Sequence, residues 1–382
     1  MRILIAPDSF KDCLSAKKVA ACIAEGIGAI CPEWECMQLP LADGGEGTVE
    51  AFDNAKAGAV VRRHDIVDAL GRPVEASTLL LPDGRCVVEM ATAAGLEQLA
   101  QDERNPMLTS SYGLGVLLKQ CLEDGCRNFI IGLGGSATVD GGVGMLQALG
   151  FEFHDEQNHL IHNGAGGAAL NRITAINDAN VPQCVREMNI VTACDVTTTL
   201  PDSAVVYGPQ KGATPEMVDE LTRGLKNFAQ LLGDDGTTPG DGAAGSIGYA
   251  FRRLLGAHSR SGAELLLEYA DFDAKCRNAS FVITGEGRTD SQSAAGKLCG
   301  VVARHAANCR VPVILASGAL ASDLQLPKEL YCAAFSISSG ELSLDDAIRN
   351  APKNLRRFGS NIASILNSQF SILNSQFSIN AE

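Results

Sequence analysis

The sequence predicts an α/β protein in which a five-stranded, doubly wound sheet is interrupted by an inserted mixed α/β domain. Three observations predict it. The chain opens with two short apolar runs, "RILIA" (2–6) and "ECMQLPLA" (35–42), each leading into a polar loop and a helix-like stretch. From about residue 279 that pattern returns in "SFVIT" (280–284), "PVILAS" (312–317) and "CAAFSI" (332–337). Between them, residues 60–91 read as alternating strands separated by "LGRP" and "LPDGR". Short continuous apolar runs mark strands buried on both faces of a parallel sheet, whereas alternation with tight turns marks antiparallel pairing.

Each element has a local reason. After "PDSFKDCL", Ser15 is placed to cap a helix whose apolar stripe is Val19, Cys22, Ile23, Gly26, Ile27 and Ile30. "DGGEGTVEAF" is a glycine loop opening a second helix to about residue 57. In the middle block a helix (110–124) and the strand "NFIIGL" (128–133) lead into a glycine loop, a helix and the strand "FEFHD". "NIVTACDV" (189–196) precedes helices near 215–232, 243–256 and 261–270. The division expected is a flavodoxin-like domain of residues 1–59 and 278–366 with an insertion of 60–277. The heptad "ILNSQFS" stands at 365–371 and again at 372–378. Two copies are too few for a coiled coil and Asn and Ser are poor helix residues, so 367–382 is expected to be an appendix without regular structure.

Composition narrows the function. With 382 residues, 46% of them hydrophobic, the chain can bury real cores. A net charge of −14 argues against nucleic acid and against an anionic membrane surface, both of which need a basic footprint. The 13 cysteines are odd in number and include no C-x-x-C pair, which suits reduced thiols in a cytoplasmic protein. No apolar run approaches the ~18 residues of a membrane span. Glycine, at 40 residues, is clustered as GGEG, GLGG, DGGVG, GAGG and GEG, which places it in loops where backbone turns sharply or approaches a ligand.

Ligands of doubly wound sheets bind beyond the carboxyl ends of the strands, near the switch point. Here those ends carry "PDSFK", "ADGGEGT" and "TGEGRTD", three polar, acidic loops expected to converge. The last continues as "GEGRTDSQSAAGK", which is not a phosphate loop. Eight residues separate Gly287 from Gly296, and Leu298 rather than a hydroxyl follows Lys297. Gly132-Leu133-Gly134-Gly135-Ser136-Ala137 matches the dinucleotide fingerprint, with Asp155 about twenty residues on. The loop runs on, however, through Thr138, Asp140, Gly141 and Gly142, a length better suited to a triphosphate with magnesium.

Asp195 closes an apolar strand, and Lys211 stands between glycines in "GPQKGA". Asp8, Asp43, Glu46, Glu89, Asp140, Asp195, Glu286 and Asp290, with Lys11, Lys211, Arg288 and Lys297, make up the groups that phosphoryl transfer needs. These are carboxylates for magnesium and for a hydroxyl proton, and cations for the transferred charge. "HDEQNHLIH" (154–162) reads as a solvated turn rather than a metal site, and no G-x-S-x-G or Ser-His-Asp arrangement favours a hydrolase.

At these residues the sequence resembles the bacterial glycerate kinase family, of the glyoxylate- and galactarate-pathway type. The matching stretches are "IAPDSFK", "ADGGEGTVEA", "EMATAAGL", "GLGGSATVDGGVGMLQALG", "ACDVT", "GPQKGA" and "TGEGRTDSQSAAGK", in order from residue 3 to about 320 and more weakly to 366. The resemblance implies phosphorylation of D-glycerate by ATP with Mg2+, to 2-phosphoglycerate, with 3-phosphoglycerate as the alternative. It implies Asp195, Lys11 and Asp43 as catalytic, and Asp8, Ser9, Glu286, Arg288 and Asp290 as substrate-binding, with Arg288 or Lys11 on the carboxylate. Gly134, Gly135, Ser136, Thr138, Gly141, Gly142, Lys211 and Lys297 would hold the nucleotide, and Asp195, Asp43 and Asp140 the metal. The partners implied are small molecules, with no nucleic acid or membrane, and a homodimer is allowed.

The chain also departs from the family pattern. "TTLPDSAVVY" (198–207) is shorter than usual, Asp241 and Ser246 replace small or glycine residues in "GDGAAGSIG", and "LCGVVA" lacks a proline. Two other readings remain open here. A dinucleotide-dependent oxidoreductase rests on the 132–137 fingerprint, and a non-catalytic sensor on the shortened loop.

Overall fold

A computed structural model of the chain describes residues 1–291, 297–338, 340 and 343–379, with side chains up to residue 368. Among the described residues the strands are β1 (Arg2–Ile5), β2 (Glu35–Gln38), β3 (Val60–Val67), β4 (Pro73–Leu80), β5 (Arg85–Glu89), β6 (Asn128–Gly132), β7 (Glu152–His154), β8 (Ala175–Asn177), β9 (Asn189–Ala193), β10 (His258–Arg260), β11 (Phe281–Thr289), β12 (Val313–Leu320) and β13 (Ala333–Ser336). They form a five-stranded sheet in the order β13-β12-β11-β1-β2, a six-stranded sheet β10-β9-β6-β5-β4-β3 and the pair β7-β8. Every pairing in the first sheet is parallel. Counted within that sheet the order is 2-1-3-4-5, the flavodoxin-like arrangement with its switch point between β1 and β11. The fold class read from the sequence therefore stands.

The chain divides into two compact units: Met1–Asp43, Glu50–Lys56 and Ala263–Glu382 form the first, Gly44–Val49 and Ala57–Gly262 the second. The second crossing comes earlier than residue 278. The helices ending at Tyr269 and Arg277 belong to the first unit, where Tyr269 lies 5.2 Å from the Phe52 ring and Phe272 meets the His305 ring edge-on at 6.0 Å. Aromatic packing outweighed the local sequence pattern that places these helices with the insertion.

In the first unit the helix Ala16–Gly28 is capped by the Ser15 hydroxyl, which accepts from Lys18 N at 3.4 Å. Its buried stripe packs with Leu355, Phe358 and Ile362 of the helix Leu344–Ile379. The approach is close enough that a Cβ on Gly26 would fall 2.0 Å from the Arg356 carbonyl. Pro352, inside that second helix, has no N–H for the carbonyl of Ile348. The Cys13 thiol donates to it instead, at 3.6 Å. The duplicated heptad continues this helix to Ile379, contrary to the irregular appendix expected, because a helix nucleated on a packed face extends at one bond per residue. Residues 380–382 lie outside the described residues.

A second difference concerns "GEGRT". It is strand, not loop: β11 runs to Thr289 and pairs with β12 through Gly285↔Ala316, Arg288↔Ala319 and Thr289↔Leu320. The glycines that suggest a loop serve close packing. A Cβ on Gly285 would meet the Ala316 carbonyl at 2.2 Å, and one on Gly318 the Gly287 carbonyl at 2.3 Å. Residues 292–296 of the same motif lie outside the described residues.

In the second unit β10, β9, β6 and β5 are parallel, while β4 and β3 are antiparallel to their neighbours. The turn after His154 has Asp155 accepting from the amides of Gln157 and His159, a solvated turn as expected. Among the described residues no helix is long and apolar enough to cross a membrane. Among the described residues no two cysteines form a disulfide, and seven cysteines are buried.

Candidate functional site

In the first unit, the segment after β1 lies along β11: Ala6 N donates to Ile283 O and Asp8 N to Gly285 O, both at 2.8 Å. Phe10, buried, closes the loop by exchanging bonds with Leu14, and Asp12 takes φ +57 to make the turn. The chain beyond β2 follows on the other side, Leu39 N donating to Ile5 O and Leu41 N to Pro7 O. This brings Asp43 beside Asp8. Burial first, then the Asp43 and Glu286 carboxylates, push the Asp8 carboxyl up to about 8, partly opposed by the Ser9 amide at 2.6 Å. Glu286 accepts from Thr289 Oγ1 at 2.9 Å, and Thr289 lies 3.0 Å from Ser317 Oγ. Lys11, Arg288, Asp290 and Lys297 are exposed. So Asp8, Ser9, Asp43 and Glu286 come together at the switch point.

The glycine part of "ADGGEGT" belongs elsewhere. In the second unit, the carboxyl ends of three parallel strands stand side by side, with Glu89↔Gly132 and Gly132↔Ala193 in register. Gly44–Val49 lies over them. Gly134 N donates to Gly44 O at 3.1 Å, and a Cβ on Gly44 would fall 2.5 Å from the Ala193 carbonyl. Gly44 needs its freedom doubly, since φ is +97. Glu89, nearly buried, accepts from Val49 N. Asp195 emerges two residues beyond β9 and is exposed.

The loop from Gly134 to Gly142 is held from three directions. Lys211, fully buried, donates from Nζ to Ser136 Oγ and to the Thr138 carbonyl, each at 2.7 Å. Gly212 (φ +88) turns the chain there, with space for no Cβ because the Arg104 carbonyl would be 2.0 Å away. Asp140, also fully buried, accepts from Ser111 N and Oγ at 2.8 Å, Gly142 N at 3.1 Å and Gly144 N at 3.3 Å. Burial raises the Asp140 pKa and these four donors oppose that. The third support is the turn Ala244–Gly245–Ser246, where all three residues take positive φ (54, 68 and 70) and Gly245 O accepts from Gly141 N at 3.1 Å.

Both departures in "GDGAAGSIG" are thereby placed. Ser246 occupies a left-handed position, and Asp241, buried, pairs with Arg252. The shortened segment is bound to the same turn, since Gly240 N and Gly242 N both donate to the Thr198 carbonyl. The helix of this loop begins only at Val143, so the 132–137 stretch does not run directly into a helix as a dinucleotide fingerprint does. Ser111 is the residue the sequence reading missed. Its signal was "TSSYG", hydroxyls immediately before a helix.

Two acid-bearing strand-end sites, one per unit, with a buried lysine on a glycine loop, are what a transferase of charged groups requires. The glycerate kinase family model matches residues 3–367. This chain belongs to the glycerate kinase family. It is 40% identical to the glycerate kinase of Bacillus subtilis over 374 residues, covering 95% of this chain and 97% of the relative. It is 41% identical to an Escherichia coli protein named glycerate 2-kinase over 377 residues, covering 96% and 98%. The crystal structure of a candidate glycerate kinase 2 from Salmonella typhimurium LT2 superposes with a TM-score of 0.80 at 39% identity, covering 97% of this chain and 99% of that one. As a glycerate kinase family member the chain is an enzyme, a phosphotransferase that uses a nucleotide.

Among the described residues no three His, Cys, Asp or Glu side chains are grouped to hold a metal ion. Magnesium in nucleotide sites is commonly held by one or two carboxylates and the phosphates themselves. Asp195, exposed at a strand end, fits that use, whereas the oxygens of Asp140 are taken up by Ser111, Gly142 and Gly144.

Proposed function

We propose that this enzyme transfers the γ-phosphoryl group of ATP to the 2-hydroxyl of D-glycerate, giving 2-phosphoglycerate. The observation that carries the reading is the buried Lys211 fastened to Ser136 and Thr138 in a glycine loop at the carboxyl ends of parallel strands. A triphosphate needs such a loop, where backbone amides and a cation face its oxygens. The choice of hydroxyl is supported by the name of the Escherichia coli relative.

In this reading Gly134, Gly135, Ser136, Thr138, Gly141, Gly142 and Lys211, with Lys297, hold the nucleotide. Asp8, Ser9, Glu286 and Asp290 position glycerate, and Arg288 or Lys11 pairs with its carboxylate. Asp195 accepts the hydroxyl proton or, with Asp43, holds magnesium. Bound magnesium would neutralise charge on the phosphates. Asp140 orders the loop from beneath.

The test is phosphorus NMR of the product formed from D-glycerate and ATP. A 2-phosphoglycerate resonance is expected. A 3-phosphoglycerate resonance would overturn the choice of hydroxyl, and saturable glycerate binding without turnover would overturn catalysis. Asp195→Asn is expected to lower kcat about 100-fold or more while the protein stays folded; near-normal turnover would remove Asp195 from its role.

A further inference from the structure

We propose that Ser136 is a covalent phosphate acceptor in this enzyme, with Lys211 as the base that takes its hydroxyl proton. The inference rests on the reading that a nucleoside triphosphate binds the glycine loop.

Ser136 stands just beyond β6, a strand with parallel neighbours on both sides. Its backbone is clamped, since Leu96 N donates to Gly135 O at 2.8 Å and Ala137 N to Ala94 O at 2.9 Å. Gly135 takes φ +73, and a Cβ on Gly134 would fall 2.4 Å from the Gly45 Cα. The chain therefore bends sharply beyond the end of a central strand and holds the Ser136 hydroxyl, itself buried, in a fixed place. That hydroxyl is 2.7 Å from Lys211 Nζ.

The surroundings of Nζ also allow it to act as a base. Its two hydrogen-bond partners, Ser136 Oγ and the Thr138 carbonyl, are neutral. Asp140 is the carboxylate felt by Nζ, and its charge is engaged by the donors of Ser111, Gly142 and Gly144. Burial pushes the Lys211 pKa down to about 7, with Asp140 opposing. A serine activated by an adjacent neutral lysine is an established nucleophile–base pair. Thr138 Oγ1, buried two residues on, has no hydrogen-bond partner among the described residues.

The step balances. Lys211 takes the Ser136 proton, Oγ forms the bond to the γ-phosphorus, and the bond to the bridging oxygen breaks with its electron pair leaving on the nucleoside diphosphate. In the second step the acceptor hydroxyl gives its proton to Asp195 as its oxygen bonds to phosphorus, the P–Oγ bond breaks with its electron pair on Oγ, and Oγ recovers the first proton from Lys211.

The experiment incubates the full chain with magnesium and ATP labelled at the γ-phosphate, without glycerate, and quenches in acid, which phosphoserine survives. Phosphate on the peptide containing Ser136, approaching one per chain and discharged on adding D-glycerate, is expected. Ser136→Ala should abolish the label, and Lys211→Met should slow its appearance at least 100-fold, with folding of both verified by circular dichroism. An enzyme that turns over ATP and glycerate with no phosphate on Ser136 would overturn the proposal while leaving the kinase reading intact. Label unchanged in Lys211→Met would remove the lysine as base. Failure to bind ATP at all, read by thermal shift, would overturn both readings.

Discussion

Arg252 grips Asp241 with two parallel bonds, Nε to Oδ1 at 2.7 Å and Nη2 to Oδ2 at 2.8 Å, while its remaining reach extends to Asp234 at 3.2 Å. Asp241 is only 2% exposed and Arg252 stacks over the Tyr249 ring, so the pair sits in a partly desolvated place. A residue that looks like a departure from the family pattern is thus answered by a cation eleven positions on, one helical face away. Asp241→Asn removes the charge but not the volume. We expect it to cost about 2 to 3 kcal/mol in urea denaturation, below the full cost of breaking a buried pair because Arg252 is part-exposed. A loss under about 0.5 kcal/mol would mean the pair contributes only what a surface bridge does.

Ser246 makes the opposite kind of prediction. It holds φ +70 with its hydroxyl buried and, among the described residues, unpartnered. A left-handed non-glycine residue costs roughly 1 to 2 kcal/mol, and glycine returns part of that as unfolded-chain entropy. Ser246→Gly should therefore stabilise the protein by about 1 kcal/mol, visible as a higher denaturation midpoint with unchanged slope. Destabilisation would show that the hydroxyl has a partner such as an ordered water.

Lys211 should leave a signature in the pH dependence of stability. Its folded pKa of about 7 lies below the ordinary 10.5. Across that interval the unfolded chain keeps a proton that the folded chain has released, so this residue makes stability rise with pH from about 7 to 10.5. Lys211→Met lacks the rise. The stability difference between parent and variant should shift in the parent's favour between about pH 7 and pH 10, and parallel curves would show that the lysine titrates normally.

His305 works in the other direction. Its Nδ1 lies 2.7 Å from Asp273 and its Nε2 2.8 Å from Glu264, tying three helices of the first unit. Burial alone would lower its pKa, but the two carboxylates outweigh burial and raise it above 6.5. Its stabilising contribution is therefore complete below about pH 6.5 and is lost as pH rises through the higher folded value. His305→Gln should remove that loss, so that parent and variant converge as pH increases. Convergence on acidification instead would contradict the ion triad.

Much of this was legible along the chain. The strands of the first sheet announce themselves as apolar runs because both faces are buried, and Ser15 caps its helix by a purely local bond. "GEGRT" was misread because glycine weakens strand propensity, and only the neighbouring carbonyls of Ala316 and Gly287 reveal why no side chain fits. The "ADGGEGT" loop was expected whole at the first sheet. Its Asp43 is there, but Gly44 packs on Ala193 and Gly134, partners 149 and 90 residues away in sequence, which no local pattern encodes.

The sequence by itself determined the fold class, the family and the residue types of the chemistry, since these follow from periodicity, turn chemistry and motifs confined to short stretches. Only the tertiary structure decided that Asp140 faces inward to four donors, that Lys211 grips Ser136, and that Asp241 has an arginine. Those outcomes depend on which groups lose water together, and desolvation is a property of the packed neighbourhood rather than of any segment.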